Sequence, residues 1–196
     1  MAERKQIVVG VTGASGAPYA KRLIEQLAAN GADVHLVVSP HGRQLFGDEM
    51  GIANPTAETL AGEHAARVKL YGYNDVGSKL ASGSFFTDGM IVCPCSSNTL
   101  ADLAMGTGSN LITRAAHVHL KEVRRLVVVP REAPLSRIEI ENMLRISQAG
   151  GIVCPAAPGF YMMPKTVGDL VDFVVGKLMD LVDVPHQLNT RWKSEV

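Results

Sequence analysis

The sequence has no surplus of either charge, because Lys plus Arg and Asp plus Glu each number 19 among 196 residues. A balanced chain lacks the basic surface that draws nucleic acid or an acidic membrane. No apolar run reaches the roughly 20 residues of a membrane span, and the stretch after Met1 lacks the long apolar region of a signal peptide. These absences predict a cytoplasmic protein that binds neither nucleic acid nor membrane.

Cysteine and aromatic residues are also scarce. The three cysteines are an odd number, and Cys93 and Cys95 are separated by one residue, which is not the spacing of a metal site. We therefore expect reduced thiols, with no disulfide and no metal ion. Aromatic residues make up 5% of the chain, so a flat ligand would be held by small side chains and backbone.

The most informative stretch, residues 7–17, is an apolar β-branched run followed by a loop of glycines and small residues and then a helical pattern. Such a unit presents free backbone N–H groups and a helix N-terminus to an anion. The glycines at 10, 13 and 16 do not follow the G-x-G-x-x-G pattern, and the second strand ends in Ser39-Pro40 without the acidic residue of a dinucleotide site. The loop predicts a phosphate site more readily than an NAD site.

Five apolar strands alternate with helical patterns along the rest of the chain. This alternation predicts an α/β fold in one domain over residues 1–196, a Rossmann-like three-layer sandwich with a parallel sheet covered on both faces. Residues 64–89 are the least regular part, and Asn54-Pro55 has the N-cap-then-proline pattern of a helix start. The polar tail, from about 183 to 196, is expected to pack on the domain or on a neighbouring subunit. The predicted strands lie at 7–11, 34–38, 90–93, 126–129 and 152–154.

Short patterns also predict where some helices begin and end. Ser136 with Glu139 forms a capping box, S-x-x-E, that opens a helix, and Thr166 with Asp169 caps the last long helix. Gly31 suits the end of the first helix.

Nearly all unusual residues follow directly after a strand, at the edge where the carboxyl ends of parallel strands meet and ligands bind. Some have two interpretations each. The run Ser96 to Thr99 could bind phosphate or cap a helix, and Arg131-Glu132 could contact a ligand or form a structural ion pair. Tyr161 could bind a ligand or fill space under a loop. The stretches at this edge are 12–16, Ser39, 94–99, Arg131-Glu132 and 155–161.

Several basic residues lie on the predicted helices. Arg114, Lys121 and Lys177 are the cations best suited to a second phosphate, although most helical lysines are only solvated. His117 and His119 are two residues apart on a helix and so lie on different faces, which makes them poor partners for one metal ion.

Six short motifs, in this order and spacing, resemble the UbiX family of flavin prenyltransferases over nearly the whole chain, from about residue 7 to Trp192. The motifs lie at 12–17, 81–84, 93–100, 114–122, 129–136 and 158–161. The resemblance implies a flavodoxin-like fold and a metal-independent transferase. The reaction it implies moves a dimethylallyl group from dimethylallyl monophosphate to N5 and C6 of reduced FMN. The product, prenylated FMN, would serve a UbiD-type decarboxylase, as in ubiquinone biosynthesis, and the enzyme would be a homododecamer built from trimers.

The resemblance also assigns residues to roles, position by position. FMN would be held by Gly13, Ala14, Ser15, Ser39, Ser96, Ser97, Asn98, Thr99 and Arg131. The dimethylallyl phosphate would be bound by Ser82, Gly83, Arg114, Lys121, Glu132, Tyr161 and Lys177, some of them from neighbouring subunits. The residues implied in catalysis are Ser15, Glu49, Lys121 and Glu132.

Two other functions remain open from the residues. An FMN-dependent decarboxylase of the phosphopantothenoylcysteine type shares the fold and a similar loop near Asn98-Thr99, but it needs a catalytic histidine and a P-x-M-N motif. His64 is the only nearby histidine, and Pro158-Gly159-Phe160-Tyr161 occupies the later loop. A non-enzymatic flavin carrier of flavodoxin type would show an aromatic sandwich and an acidic surplus, and the chain has neither.

Overall fold

The computed structural model describes residues 4–188 and residue 190, and its centre is a parallel sheet of six strands. β-branched residues dominate the inner strands, as expected where both faces of a sheet are covered. The strands are β1 (Gln6–Val11), β2 (Asp33–Val38), β3 (Val68–Tyr71), β4 (Gly89–Cys95), β5 (Arg125–Pro130) and β6 (Ile152–Val153).

The described residues form seven α-helices, and most of them begin with a polar cap. Ser136 with Glu139 and Thr166 with Asp169 form the predicted capping boxes, in which each pair exchanges side-chain and backbone hydrogen bonds. The helices are α1 (Ala17–Ala29), α2 (Pro40–Met50), α3 (Ala57–Ala61), α4 (Ser97–Met105), α5 (Leu111–Lys121), α6 (Arg137–Gln148) and α7 (Val167–Leu181).

The strands are ordered β3-β2-β1-β4-β5-β6, and all neighbouring strands pair in parallel. This is the Rossmann order, and without the short edge strand β3 it is the flavodoxin-like order. The predicted fold class is therefore confirmed. The direction of winding reverses between β1 and β4, so a crevice opens there, at the carboxyl ends of the strands.

Two apolar layers hold the helices to the sheet. One layer packs α1, α2, α3 and α7 against one face, and the other packs α4, α5 and α6 against the opposite face. β4 lies at the centre of the sheet and is buried along its whole length. The site-bearing loops therefore extend from a rigid support.

One strand was not predicted, and one helix starts at a different residue from the predicted one. β3 lies within the stretch described as least regular, and its alternating pattern Val-Lys-Leu-Tyr is short enough to be overlooked. α3 is capped by Thr56, whose hydroxyl accepts from the Thr59 N–H, and not by Asn54. Both errors concern the edge of the sheet far from the β1–β4 crevice.

The chain after α7 folds back on the domain as far as it is described. Val184 and Thr190 are buried, and the Thr190 side chain lies against Gly176 of α7. Residues 189 and 191–196, including Trp192, lie outside the described residues. Among the helices of the described residues, none is both long and apolar enough to cross a bilayer.

Candidate functional site

The candidate site is the rim of loops at the carboxyl ends of β1, β2, β4 and β5, which we call the carboxyl rim. The loops that follow β1 and β4 lie on either side of the crevice where the strand order reverses. In open parallel sheets this crevice is where nucleotides bind. The structure thus brings together the predicted FMN residues, which are spread from residue 13 to residue 131 in the sequence.

Thr12 ties the two central loops of the carboxyl rim together. Its hydroxyl donates to the Pro94 carbonyl oxygen at 2.9 Å and accepts from the Ser96 N–H at 2.8 Å. Because both bonds are buried or half-buried, they fix the spacing of the loops after β1 and β4. Thr12 was singled out only as part of its loop, and its role in joining the two loops was not predicted.

The hydroxyl groups of the carboxyl rim differ in what they can still offer a ligand. The Ser96 hydroxyl donates to Thr99 Oγ1 at 3.1 Å, so its single proton is used within the loop. The Ser39 hydroxyl accepts from the Gly42 N–H at 3.0 Å and retains its proton for a ligand. Ser96 and Ser39 are also the N-caps of α4 and α2. The Ser39 hydroxyl can therefore cap α2 and still donate to a ligand, whereas the Ser96 hydroxyl uses its proton to hold the loop after β4.

The glycine loop after β1 holds an anion that belongs to the chain itself. The Glu49 carboxylate, from the last turn of α2, accepts from the Gly16 N–H at 3.0 Å and from the Ala17 N–H at 2.8 Å. These are the N–H groups at the start of α1 that were expected to be free for a phosphate, so that expectation is wrong for these two groups. Glu49 satisfies the positive end of α1 and lies beside Ser15.

Gly13 and Gly16 are required by packing and by backbone conformation. A Cβ on Gly13 would lie 2.6 Å from His41 Cβ, so the loop after β1 can approach the start of α2 only with glycine. Gly16 has φ of 134°, which other residues rarely adopt. The exposed backbone of Gly13 and Ser15 is thereby left open on the carboxyl rim.

Arg131 and Glu132 follow β5, and they do not form an ion pair with each other. Arg131 Nε donates to the Ser15 carbonyl oxygen at 3.1 Å, and its terminal nitrogens make no hydrogen bond to the described residues. Glu132 accepts from the Ala133 N–H at 3.1 Å and is otherwise exposed. The structure therefore leaves a cation and a carboxylate available beside the crevice.

Ser97, the first residue of α4, contacts two carboxylates. Its hydroxyl donates to Glu139 Oε1, and Glu132 Oε2 lies 3.4 Å from the same oxygen. Glu139 was predicted only as half of a capping box. Its proximity to the carboxyl rim could have been predicted from the sequence, because the first turn of α6 begins a few residues after β5.

Three residues of the predicted prenyl-donor site lie on the side of the sheet where the strands begin, opposite the carboxyl rim. We call this side the amino edge. Lys121 ends α5 just before β5 begins, and Arg124, next to it, donates to the Gly83 carbonyl oxygen at 2.6 Å. β5 separates this edge from Glu132 by roughly 16 Å, at about 3.3 Å per residue. Ser82, Gly83 and Lys121 therefore do not meet the carboxyl rim within one chain.

Arg114 and Lys121 lie seven residues apart on the same exposed face of α5. Together with His117, they line a shallow groove of about 340 Å³. Lys121 Nζ lies 3.6 Å from Glu122 Oε1, in an ion pair that is largely exposed to solvent. The groove is therefore cationic and open to solvent.

Tyr161 and Lys177 are brought to one side of α7. The Tyr161 ring meets the Phe173 ring edge-on, with centroids 5.6 Å apart, and Phe173 is one helical turn before Lys177. The Tyr161 loop begins beside the carboxyl rim, since the Ala156 N–H donates to the Pro130 carbonyl oxygen. Tyr161 therefore lies on a loop that starts at the carboxyl rim and packs against α7.

The cysteines of this region are not suited to nucleophilic chemistry. Burial raises the pKa of the Cys93 and Cys95 thiols well above the usual range, so they stay protonated. All three cysteines are free, and the described residues contain no group of three or more His, Cys, Asp or Glu side chains that could hold a metal ion. His119 is buried, and its Nε2 and Nδ1 are hydrogen-bonded to the Thr87 hydroxyl and the Ala115 carbonyl oxygen. Its role is therefore structural.

Comparison with known proteins agrees with this arrangement. A family model described as Flavoprotein matches residues 1–179. The chain is 46% identical over 191 residues to the flavin prenyltransferase UbiX of Halalkalibacterium halodurans, covering 95% of this chain and 93% of that protein.

Two solved structures are similar throughout. One is AnUbiX (PadA1) in complex with FMN and dimethylallyl pyrophosphate, with a TM-score of 0.87 and 36% identity, covering 99% of this chain and all of that one. The other is a dodecameric FMN-dependent Ubix-like decarboxylase from Escherichia coli O157:H7, with a TM-score of 0.85 and 38% identity, covering 96% of this chain and all of that one.

The fold and the carboxyl rim define a flavoprotein with a Rossmann-like sheet. Within that class, the identity to curated relatives extends over almost the full length of both chains. The chain belongs to the UbiX family of flavin prenyltransferases.

Proposed function

We propose that the protein transfers a dimethylallyl group from dimethylallyl monophosphate to reduced FMN. The observation that carries this proposal is the carboxyl rim, where Ser39, Arg131 and Glu132 are left available around the crevice of a UbiX-family chain. Reduced FMN, a substrate here, supplies the nucleophilic atoms N5 and C6. The protein must bind both substrates, exclude water and manage charge and protons.

The carboxyl rim would bind FMN through backbone and small side chains. Gly13, Ala14 and Ser15 form its floor, and Ser39 offers a hydroxyl proton at the start of α2, where the helix dipole favours a phosphate. Arg131 is held against the Ser15 carbonyl oxygen through Nε, and its terminal nitrogens make no hydrogen bond to the described residues. The run Ser96, Ser97, Asn98 and Thr99 completes the rim across the crevice.

The prenyl donor would be bound by cations that neutralise its phosphate as the carbon–oxygen bond breaks. Arg114 and Lys121 provide two positive charges on one groove, and Lys177 provides a third beside Tyr161. Ser82 and Gly83 lie with Lys121 at the amino edge of the sheet. Because β5 separates this edge from Glu132, we infer that the α5 groove serves the carboxyl rim of a neighbouring copy.

Carboxylates on the carboxyl rim would carry the protons released at the flavin. Glu132 is exposed beside the crevice, where it accepts from the Ala133 N–H and lies 3.4 Å from the Ser97 hydroxyl oxygen. We assign it and Ser15 to proton transfer. Glu49 would act from its position on the N–H groups of Gly16 and Ala17, next to Ser15.

The wider setting follows from the same proposal. A homododecamer is supported by the dodecameric relative and by the separation of the two halves of the site within one chain. We propose that the product, prenylated FMN, passes to a UbiD-type decarboxylase and that the enzyme is cytoplasmic. The tail from about residue 183 would remain against the domain or a neighbouring copy.

The decarboxylase alternative finds no support at the site. His64, the histidine considered for it, lies in the short helical turn before β3, at the amino edge of the sheet, and contacts Glu63. A group there cannot reach a flavin on the carboxyl rim. The flavin-carrier alternative calls for an aromatic sandwich around the flavin. Tyr161, in the loop beside the rim, instead packs edge-on against Phe173 of α7.

The test is anaerobic incubation of the protein with reduced FMN and dimethylallyl monophosphate, followed by mass spectrometry of the released flavin. Prenyl transfer adds one C5H8 unit to the flavin. Unaltered FMN, with tight flavin binding confirmed, would overturn the transferase and leave the carrier. A parallel incubation with dimethylallyl pyrophosphate shows which donor the α5 groove prefers.

A further inference from the structure

The hydroxyl of Ser97 lies between two carboxylates, and only one of them can receive its proton. The proton goes to Glu139 Oε1, the nearer oxygen, while Glu132 Oε2 is 3.4 Å from Ser97 Oγ. A serine hydroxyl carries one proton and two lone pairs. Once the proton is committed to Glu139, Ser97 can only accept from a ligand.

Glu139 is itself held firmly in this orientation. Its second oxygen accepts from the Ser136 N–H at 2.7 Å, and its own N–H donates to Ser136 Oγ at 3.3 Å. Hydrogen bonds from Ser97 and from Ser136 lower the pKa of Glu139. A carboxylate has no proton to donate, so the direction of the bond to Ser97 is determined.

We propose that Glu139 is a positioning residue that fixes Ser97 as a hydrogen-bond acceptor on the carboxyl rim. The ligand group facing Ser97 is then a donor of the bound flavin, either a ring N–H or a ribityl hydroxyl. This inference rests on the proposed function insofar as it takes FMN as the ligand. Of the interpretations left open for the run Ser96 to Thr99, it favours flavin binding by Ser97 without a contact to the phosphate.

The charges around the crevice also indicate which end of the flavin lies against Ser97. Two carboxylates, Glu132 and Glu139, lie within hydrogen-bond reach of the Ser97 oxygen and repel a phosphate there. Ser39, across the crevice at the start of α2, still has a proton to donate. The phosphate therefore lies on the Ser39 side, and the uncharged part of the flavin lies against Ser97.

The test compares binding of FMN with binding of riboflavin, which lacks the phosphate. Glu139→Ala is expected to weaken the affinity for both flavins by about 3- to 10-fold, because an oriented hydrogen bond is lost. The ratio of the FMN affinity to the riboflavin affinity should stay unchanged. Ser136→Ala is the matched control, since it disrupts the same helix cap without touching Ser97, and it should leave both affinities within about twofold. Glu139→Gln keeps an acceptor oxygen and should bind like the wild type.

The double variant Ser97→Ala/Glu139→Ala shows whether Glu139 acts through Ser97. It should bind no more weakly than Ser97→Ala alone. Additive losses, an equal loss in Ser136→Ala, or an FMN-selective gain in Glu139→Ala would each overturn the proposal. Flavin binding without prenyl transfer overturns the proposed function only, whereas a wild-type chain that binds neither flavin overturns both.

Discussion

Single residues on the carboxyl rim have distinct tasks that their sequence positions alone do not reveal. Thr12 and Ser96 use their hydrogen bonds to hold the rim together, whereas Ser39 and Arg131 retain donors for a ligand. All four follow strands, and that rule identified their neighbourhood correctly. Which hydroxyl proton is already used depends on contacts between loops more than 80 residues apart, such as Thr12 with Pro94.

Glu132 is the residue most directly tied to the chemistry. Glu132→Gln is expected to bind FMN with wild-type affinity and to lower the rate of prenyl transfer by 100-fold or more, on the order of general acid–base catalysis. Single-turnover kinetics with FMN titration measure the two effects separately. Glu141→Gln, on the exposed part of α6 where Glu141 pairs with Arg137, is the matched control; near-native turnover of Glu132→Gln would remove Glu132 from catalysis.

His35 predicts a loss of stability in mild acid. The side chain is buried on β2, where Nε2 meets Gln6 Oε1 at 2.8 Å and Nδ1 meets the Tyr71 hydroxyl at 3.0 Å. Burial, with Lys79 and Lys69 nearby and Asp33 opposing them, lowers the pKa of His35 to about 4. The folded state therefore binds fewer protons than the unfolded state between about pH 6.5 and 4, and stability falls as the pH drops through that window.

Urea unfolding at pH 7.5 and pH 5 measures this effect. His35→Gln should reduce the drop in unfolding free energy between the two pH values by about 1–2 kcal/mol. His64→Gln is the control, because His64 is half-exposed and its Nε2 lies 3.8 Å from Glu63 Oε1. An identical pH dependence in the wild type and in His35→Gln would show that His35 does not titrate in this range.

At the scale of elements, local patterns predicted the helices better than the edge strands. The capping pairs of α6 and α7 and the glycine stop after α1 are encoded within a few residues, so they could be read directly. β3 has four residues and owes its strand conformation to pairing with β2, at Val34 with Val68. A tertiary contact of this kind leaves only a weak trace in the sequence.

Two helical glycines predict opposite effects of alanine. A Cβ on Gly176 of α7 would lie 2.9 Å from His186 Cε1 and 3.0 Å from Thr190 Oγ1, so the chain after α7 must move. Gly47 of α2 has nothing within 4 Å of the same position. We expect Gly176→Ala to destabilise the fold by about 1–3 kcal/mol and Gly47→Ala to stabilise it by about 0.5–1 kcal/mol.

Thermal or urea unfolding of the two variants side by side provides the comparison. Because both changes add the same methyl group to a helix interior, helix propensity is matched between them. If Gly176→Ala were as stable as Gly47→Ala, the packing of His186 and Thr190 on α7 would contribute nothing to the fold.

At the scale of the whole molecule, one chain carries two groups of predicted site residues that do not meet. Residues 13–15, Ser39, 96–99 and Arg131-Glu132 lie on the carboxyl rim, and Lys121 with Ser82 and Gly83 lies at the amino edge. The strand predicted at 126–129 already lies between Lys121 and Glu132 in the sequence. The place of Gly83 beside Arg124, just before that strand, becomes visible only in the structure.

Such a chain predicts head-to-tail assembly. A heterologous interface that joins the carboxyl rim of one copy to the α5 groove of the next closes into a ring when its rotation allows. Exposed apolar side chains near both halves, among them Phe86 at the amino edge and Phe160 beside the rim, are consistent with contact surfaces. The cationic groove and the acidic residues Glu132 and Glu139 also complement each other in charge.

The most direct test of this shared site is activity in mixed assemblies of two inactive chains. Lys121→Ala and Glu132→Gln chains, carrying different tags, are co-expressed, and assemblies containing both are purified and assayed for C5H8 addition to FMN. Random mixing should restore about a quarter of wild-type turnover, because one site in four then combines an intact Glu132 with an intact neighbouring Lys121. Mixed assemblies as inactive as either variant alone would contradict a site built from two copies.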